Sequence, residues 1–450
     1  MNNDASKKTT FFSRRDFVRH SSLLAGGLAA APLLSRANYF SGADDTIKIA
    51  LVGCGGRGTG AATQALSTKQ NVKLVAMCDA FRDNLDNCYK TLTADDMSES
   101  TGKPGNFKNR IDVPESRKFT GFEGYKKAIA LADVVILATP PGFRFIHFDE
   151  AIKQNKHVFM EKPVATDPAG VQSVLATAAI AKQKKLNVVV GLQRHYQNSY
   201  RELVKRKDMI GDITSMQAWW NNDGVWVRPR KEGQTEMEYQ MRNWYYFVWL
   251  CGDHITEQHI HNLDVINWFK GGYPVKAQGM GGRQVRKGKE NGEIFDHHYV
   301  EFHYADGSIL NSQCRHIPGT MSKVDELFIG TKGKIYCGEA KITDASGKIL
   351  YQFDKKNEPN PYQVEHDELF AAVAKGEFKY ADAENGAKSS MTSILGRLAT
   401  YSGQVVEWDK AINSGLDLHP KVYDWNAATP VVPNADGYYA AAIPGVTKYV

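Results

Sequence analysis

At 450 residues, with 42% hydrophobic and 24% charged residues, the chain has the composition of a folded globular protein too long for one ordinary hydrophobic core. Of its formal net charge of +6, residues 1–37 carry +4 (Lys7, Lys8, Arg14, Arg15, Arg19 and Arg36 against Asp4 and Asp16), so the remainder has no basic excess that would argue for nucleic acid. The six cysteines show no C-x-x-C spacing and read as small buried hydrophobes rather than as disulfides.

Residues 1–37 read as a twin-arginine signal segment. Ser13-Arg-Arg-Asp-Phe-Val18 is followed by a mildly apolar stretch from about Ser21 to Leu34 and a small-residue exit at Ser35-Arg-Ala37. The stretch is too short and glycine-rich to span a bilayer, so the expected location is periplasmic with no stable membrane span. Export of a folded chain implies that any nucleotide is acquired in the cytoplasm and held tightly afterwards.

The apolar run from Thr46 breaks into Gly53-x-Gly55-x-x-Gly58, the strand, tight turn and helix start of a dinucleotide site. Gly53 permits the turn, Gly55 lets the backbone approach a pyrophosphate, and Gly58 lets the helix pack on its strand; Gly56 and Arg57 complete the loop. A second strand ends in Asp79, about 20 residues beyond the last glycine, where a ribose hydroxyl needs a carboxylate. That acid favours NAD by repelling a 2′-phosphate, while Arg82 nearby keeps NADP open.

A polar stretch from about Thr93 to Arg117 reads as a surface loop. Asp133 to Pro140 reads as a buried strand whose exit at Thr139 and Pro140 faces the cofactor, and a helix around Phe145 to Gln154 leads to His157-Val-Phe-Met-Glu-Lys-Pro163. In the second half, strands near 213–221, 295–304, 308–316 and 325–338 are separated by hairpin signals at Ala305-Asp-Gly307 and Lys332-Gly-Lys334. The expected fold class is therefore α/β: an N-terminal Rossmann domain over 46–165, an α+β domain with a large, mainly antiparallel sheet over 166–410, and a tail over 411–450.

Two groups carry the chemistry. Lys162, at a strand end by the cleft, places a cation where hydride removal builds negative charge on a carbinol oxygen. In Gly252 to Asp264, Glu257 and His261 lie four apart and share a helix face, with Ile260, Leu263, Ile266 and Phe269 on the apolar side. Histidine suits the base role, and a carboxylate one turn away can hold its tautomer. His254, Glu257 and His261 as a metal-ligand set is the competing reading, and a solvated polar face the bland one. Five of the eight tryptophans (Trp219, Trp220, Trp226, Trp244, Trp249) are interleaved with Arg228, Arg230 and Arg242, which suits a carbohydrate cleft or, equally, sheet core or an oligomer interface.

Gly53-Cys-Gly-Gly-Arg-Gly58, Asp79, Ala138-Thr-Pro140, Glu161-Lys-Pro163 and the later acid-x-x-x-His pair together resemble the glucose–fructose oxidoreductase / inositol dehydrogenase (Gfo/Idh/MocA) family, in order from about residue 46 to about 410. The resemblance implies that Lys162 stands beside the nicotinamide and bonds the reacting hydroxyl, that Pro163 begins the crossing into the second domain, and that His261 and Glu257 match the catalytic histidine and its acid. It implies that Glu161 and Arg194 belong to the nicotinamide end, the latter without the family's following proline, and that the second-domain sheet forms a homo-oligomer, dimer or tetramer. His259 stands where the family has glycine. The expected activity is an exported NAD(P)-dependent oxidoreductase acting on a sugar, glycoside or polyol held by Lys162, Trp226, Arg242 and His261, with no resident metal. A redox-neutral NAD-dependent glycosidase, whose family relatives lack Glu-Lys-Pro, and a non-catalytic sugar sensor are the alternatives.

Overall fold

The computed structural model describes residues 45–94 and 107–448; the signal segment and the centre of the expected polar loop lie outside the described residues. Six parallel strands, β1 (Ile47–Val52), β2 (Val72–Asp79), β3 (Lys118–Thr120), β4 (Val134–Leu137), β5 (His157–Met160) and β6 (Val188–Val190), form one sheet in the order β3-β2-β1-β4-β5-β6. That order reverses between β1 and β4, which puts a crevice at their carboxyl ends. The central strands are buried on both faces, as continuous apolar runs such as Val134-Val-Ile-Leu require.

The first domain does not stop at 165. The helix Pro168–Gln183 is a crossover to β6, which pairs in parallel with β5, so the Rossmann sheet continues to residue 190. The sequence signal was weak because Val188-Val-Val is only three residues long. Asp167 caps the crossover helix by accepting from Gly170 N at 2.8 Å, and Pro168 occupies its first turn.

The second sheet has nine strands: β7 (Ile213–Asn222), β8 (Lys276–Gly282), β9 (His297–His303), β10 (Ile309–His316), β11 (Lys323–Gly330), β12 (Gly333–Tyr336), β13 (Lys341–Asp344), β14 (Ile349–Gln352) and β15 (Val406–Glu407). Their order is β14-β13-β12-β11-β7-β10-β9-β8-β15, antiparallel throughout except where β10 runs parallel to β7. The single strand expected over 325–338 is the hairpin β11–β12, turned at Thr331-Lys332. The helix Ala383–Ser402 packs on this sheet and on the crossover helix, so one core spans both domains. All six cysteines are free and buried, and among the described residues no helix is long and apolar enough to cross a membrane.

The tail is not detached. Leu418 N donates to Asp167 at 2.7 Å, and Tyr423 and Trp425 pack against Phe122 of the first domain.

Candidate active site

β1 runs into Gly53, whose φ of +97° and whose position, 2.5 Å from the Ala138 and Thr139 backbone for any added Cβ, admit only glycine. A Cβ on Gly58 would stand 1.8 Å from Gly53 O, whereas Gly55 and Gly56 face open space. The helix Gly56–Leu66 starts with no side-chain cap and no acid in its first turn, so its leading N–H groups and dipole are free for an anion. A dinucleotide pyrophosphate fits this cradle.

The cradle opens into a cavity of about 300 Å³ that Thr139, Pro140 and Asp79 also line. Asp79 accepts from Cys54 N at 2.7 Å and Phe81 N at 2.9 Å, so the acid braces the glycine loop as well as facing the cavity. Burial pushes its carboxyl above the usual range, and those N–H donors oppose the shift. Arg82, which left NADP open, does not line the cavity and is engaged with Asp86 and Glu115.

At the other end, Lys162 Nζ donates to Glu257 O at 2.6 Å and to Glu257 Oε1 at 3.0 Å, joining the exit of β5 to the second domain. Arg57, from the glycine loop, is paired with Glu161. Arg144 is a residue the sequence reading missed: fully buried, it donates to the carbonyls of Thr139, Glu161 and Pro163, tying the exits of β4 and β5 together. Burial lowers its guanidinium to about 10, with Glu161 and Glu257 opposing. An arginine amid the apolar Phe143–Phe148 stretch was the available signal.

The expected continuous helix through Glu257 and His261 is broken into His254–Glu257 and Ile260–Lys270. Glu257 O, which would accept His261 N in an unbroken helix, accepts Lys162 instead, and His261 N turns to Gln258 O at 3.3 Å. Glu257 therefore holds the lysine and not the imidazole. His261 is buried, lies against Trp220 with ring centroids 5.8 Å apart, and has no hydrogen-bond partner at Nδ1 among the described residues. Burial holds it well below the usual histidine range, and Lys162, Arg194 and Arg57 add to the effect.

His259, the departure from the resemblance, points into the second sheet and bonds Ser312 Oγ at 2.7 Å, so it does not disturb the cofactor domain. Asp264 holds His195 at 2.7 Å and accepts from Asn385 and Ser389. Among the described residues, His254, Glu257 and His261 do not bring their ligand atoms close enough together to share a metal ion, and His254 bonds Asp253 at 2.6 Å. Arg194 is locked to Tyr200 and lies 3.8 Å from Glu326, away from the nucleotide cavity.

Trp226 and Arg242, expected as substrate contacts, line the nucleotide cavity together with Asp79 and Phe81. Arg242 pairs with Asp83 at 2.7 Å, and its guanidinium sits 3.8 Å over the Phe81 ring. Neither Lys162 nor His261 lines that cavity. Of the other tryptophans, Trp249 is core, with its indole N–H on Gln240.

Residues 47–192 match the model of the Gfo/Idh/MocA family, an oxidoreductase family with an NAD-binding Rossmann fold. This segment is an NAD-binding Rossmann domain similar to that of the Gfo/Idh/MocA family. Inositol 2-dehydrogenase of Gluconacetobacter diazotrophicus is 31% identical over 140 residues, which is 31% of this chain and 35% of that protein. A glycosyl hydrolase family 109 protein of Solibacter usitatus is 25% identical over 228 residues, covering 50% of this chain and 49% of the relative. The chain thus spans about a third to a half of the curated relatives it matches. Scyllo-inositol dehydrogenase from Lactobacillus casei, solved with NAD(H) and scyllo-inositol, superposes with a TM-score of 0.59 at 20% identity over 81% of this chain and 99% of that one, which extends the likeness in fold to the second domain.

Proposed function

We propose that the chain is a member of the Gfo/Idh/MocA family and an exported NAD-dependent oxidoreductase that moves a hydride between bound nicotinamide and a secondary hydroxyl or keto group of a sugar, glycoside or polyol. The observation that carries it is the Lys162–Glu257 contact: it holds a cation at the junction of the two domains, within electrostatic reach of His261, at the strand exits that border the nucleotide crevice. NAD, when bound, supplies the hydride acceptor. Lys162 uses two donors on Glu257 and has a third for the carbinol oxygen, where it stabilises the charge that develops. His261, kept neutral by burial, takes the hydroxyl proton. Arg144 keeps the β4 and β5 exits in register, which positions Lys162 against the nucleotide crevice.

The purified chain, supplied with NAD and a panel of inositols, free sugars and glycosides, should show an absorbance rise near 340 nm with at least one of them. NAD binding with no absorbance change and no product from any compound would sink the enzyme reading and leave the sugar sensor. The glycosidase relative favours a second reading, in which the hydride returns to the same molecule; release of free sugar from a glycoside without net NADH selects it. Export through Arg14-Arg15 is part of the proposal. Arg14→Lys with Arg15→Lys should leave loaded protein in the cytoplasm, and unaltered periplasmic delivery would refute that route.

A further inference from the structure

The nucleotide cavity has two walls, and only one belongs to the Rossmann domain. Asp79, Phe81 and Asn84 form the first; Trp226, Arg228, Arg242 and Trp244 of the second domain form the other. Arg242 meets Asp83 and Phe81 beside Asp79, the end where the adenosine half of a dinucleotide lies. We propose that residues 226–244 are a roof that binds this adenosine half, and that the C-terminal segment is the strap that holds the roof down. The proposal rests on the cavity taking NAD, and not on which substrate is oxidised.

Three observations support the roof. Trp226 keeps 40% of its surface exposed although it lines a cavity, which leaves an indole face that folding has not covered. Its ring meets that of Trp244 in a T-shaped arrangement with centroids 5.8 Å apart, and the Arg228 guanidinium lies 4.8 Å from its ring centroid, an aromatic and cationic surface of the kind that stacks on a purine. Arg242, which lines the cavity, reaches from the second domain to Asp83 and Phe81 of the first.

The strap engages both walls. On the Rossmann side, Trp425 packs on Phe81 and Phe122 with ring centroids at 5.2 and 4.6 Å, and Tyr423 lies 5.3 Å from Phe143. Phe81, Phe122 and Phe143 all line the cavity. On the roof side, Gln240 donates to Thr429 Oγ1 at 3.1 Å and to Val431 O at 2.8 Å, and Tyr439 donates to Glu236 Oε1 at 2.5 Å. Glu236 and Gln240 lie on the helix Glu236–Arg242 that carries Met241 and Arg242 into the cavity. Lifting the roof therefore breaks strap contacts as well as the Arg242 bridge, and nucleotide release becomes an opening of the two walls.

The test uses the full chain and two half-ligands, AMP and nicotinamide mononucleotide, measured by calorimetry without any substrate. Trp226→Ala and Arg242→Ala should each weaken AMP about tenfold, the loss of one stacking or charge-assisted contact, and leave the mononucleotide unchanged. NAD release into excess ADP-ribose should accelerate by a similar factor in both variants and in Trp425→Ala, with the near-ultraviolet circular dichroism of the apoprotein retained. Unchanged AMP affinity, or equal loss of both half-ligands, overturns the roof. Unchanged NAD release in Trp425→Ala overturns the strap. Failure of the hydride chemistry would leave all of these binding results standing, so the two readings fail separately.

Discussion

Replacing Lys162 with Met removes the cation while keeping the length of the side chain. Nζ lies 2.6 Å from Glu257 O and 3.0 Å from Oε1, and each of the two side chains is only 13% exposed, so no water replaces the ammonium at low cost. A preorganised donor aimed at developing negative charge contributes ~2.7–4 kcal/mol to the transition state, so the hydride step should slow by ~10²–10³. Leaving Glu257 without its partner should also cost ~1–3 kcal/mol of stability, visible as a lower urea midpoint. NAD affinity should stay within about threefold, since Lys162 does not line the nucleotide cavity. The assay is single-turnover absorbance at 340 nm with the substrate found by the screen, alongside calorimetric NAD binding. A hydride rate within tenfold of the parent, or an NAD affinity that falls in step with the rate, would refute the reasoning. Glu257→Gln keeps the backbone acceptor at Glu257 O and should give a smaller loss than Lys162→Met; the reverse order would make the acid, not the lysine, the principal group.

Two further expectations follow from buried groups. Asp79→Ala deletes the acceptor for Cys54 N and Phe81 N together with the repulsion of a 2′-phosphate, so NAD should weaken by ~1–3 kcal/mol and the ratio of NADP to NAD affinity should rise; an unchanged ratio in competition binding would remove Asp79 from the ribose site. Burial pushes His259 down to about 3, so below its unfolded value of about 6.5 the unfolded chain takes up a proton that the fold refuses, and stability is lost as pH falls from there toward 3. At pH 5 that residue alone costs ~2 kcal/mol relative to pH 7, so the stability difference between His259→Gln and the parent should move by that amount in the variant's favour, and a pH-independent difference in urea unfolding would show that His259 does not titrate on unfolding.

The glycine loop, the Asp79 strand end, Glu161-Lys162 and the His261 segment were all legible in the sequence. The glycine loop is the clearest case, because a strand, a turn that needs φ > 0 and a helix start specify one another locally, whereas at Glu257–His261 the residues were found but not the break in their helix. The α/β order and the hairpins of the second sheet were readable for the same reason, through periodicity and turn chemistry. Only the tertiary structure decided where the long-range partners fall. Arg242 meets Asp83 across 159 residues, a contact between the two domains beside the nucleotide cavity that spacing alone does not give. Lys162 takes the Glu257 carbonyl across 95 residues, at the point where a helix that spacing alone would continue is broken. Arg144 finds three carbonyls that converge only when β4 and β5 lie side by side. The tail shows no periodicity because its order comes from isolated aromatic and polar contacts to both domains rather than from a face of its own. Local backbone geometry is encoded where it occurs; the pairing of buried charges and rings depends on which surfaces the folded core brings together.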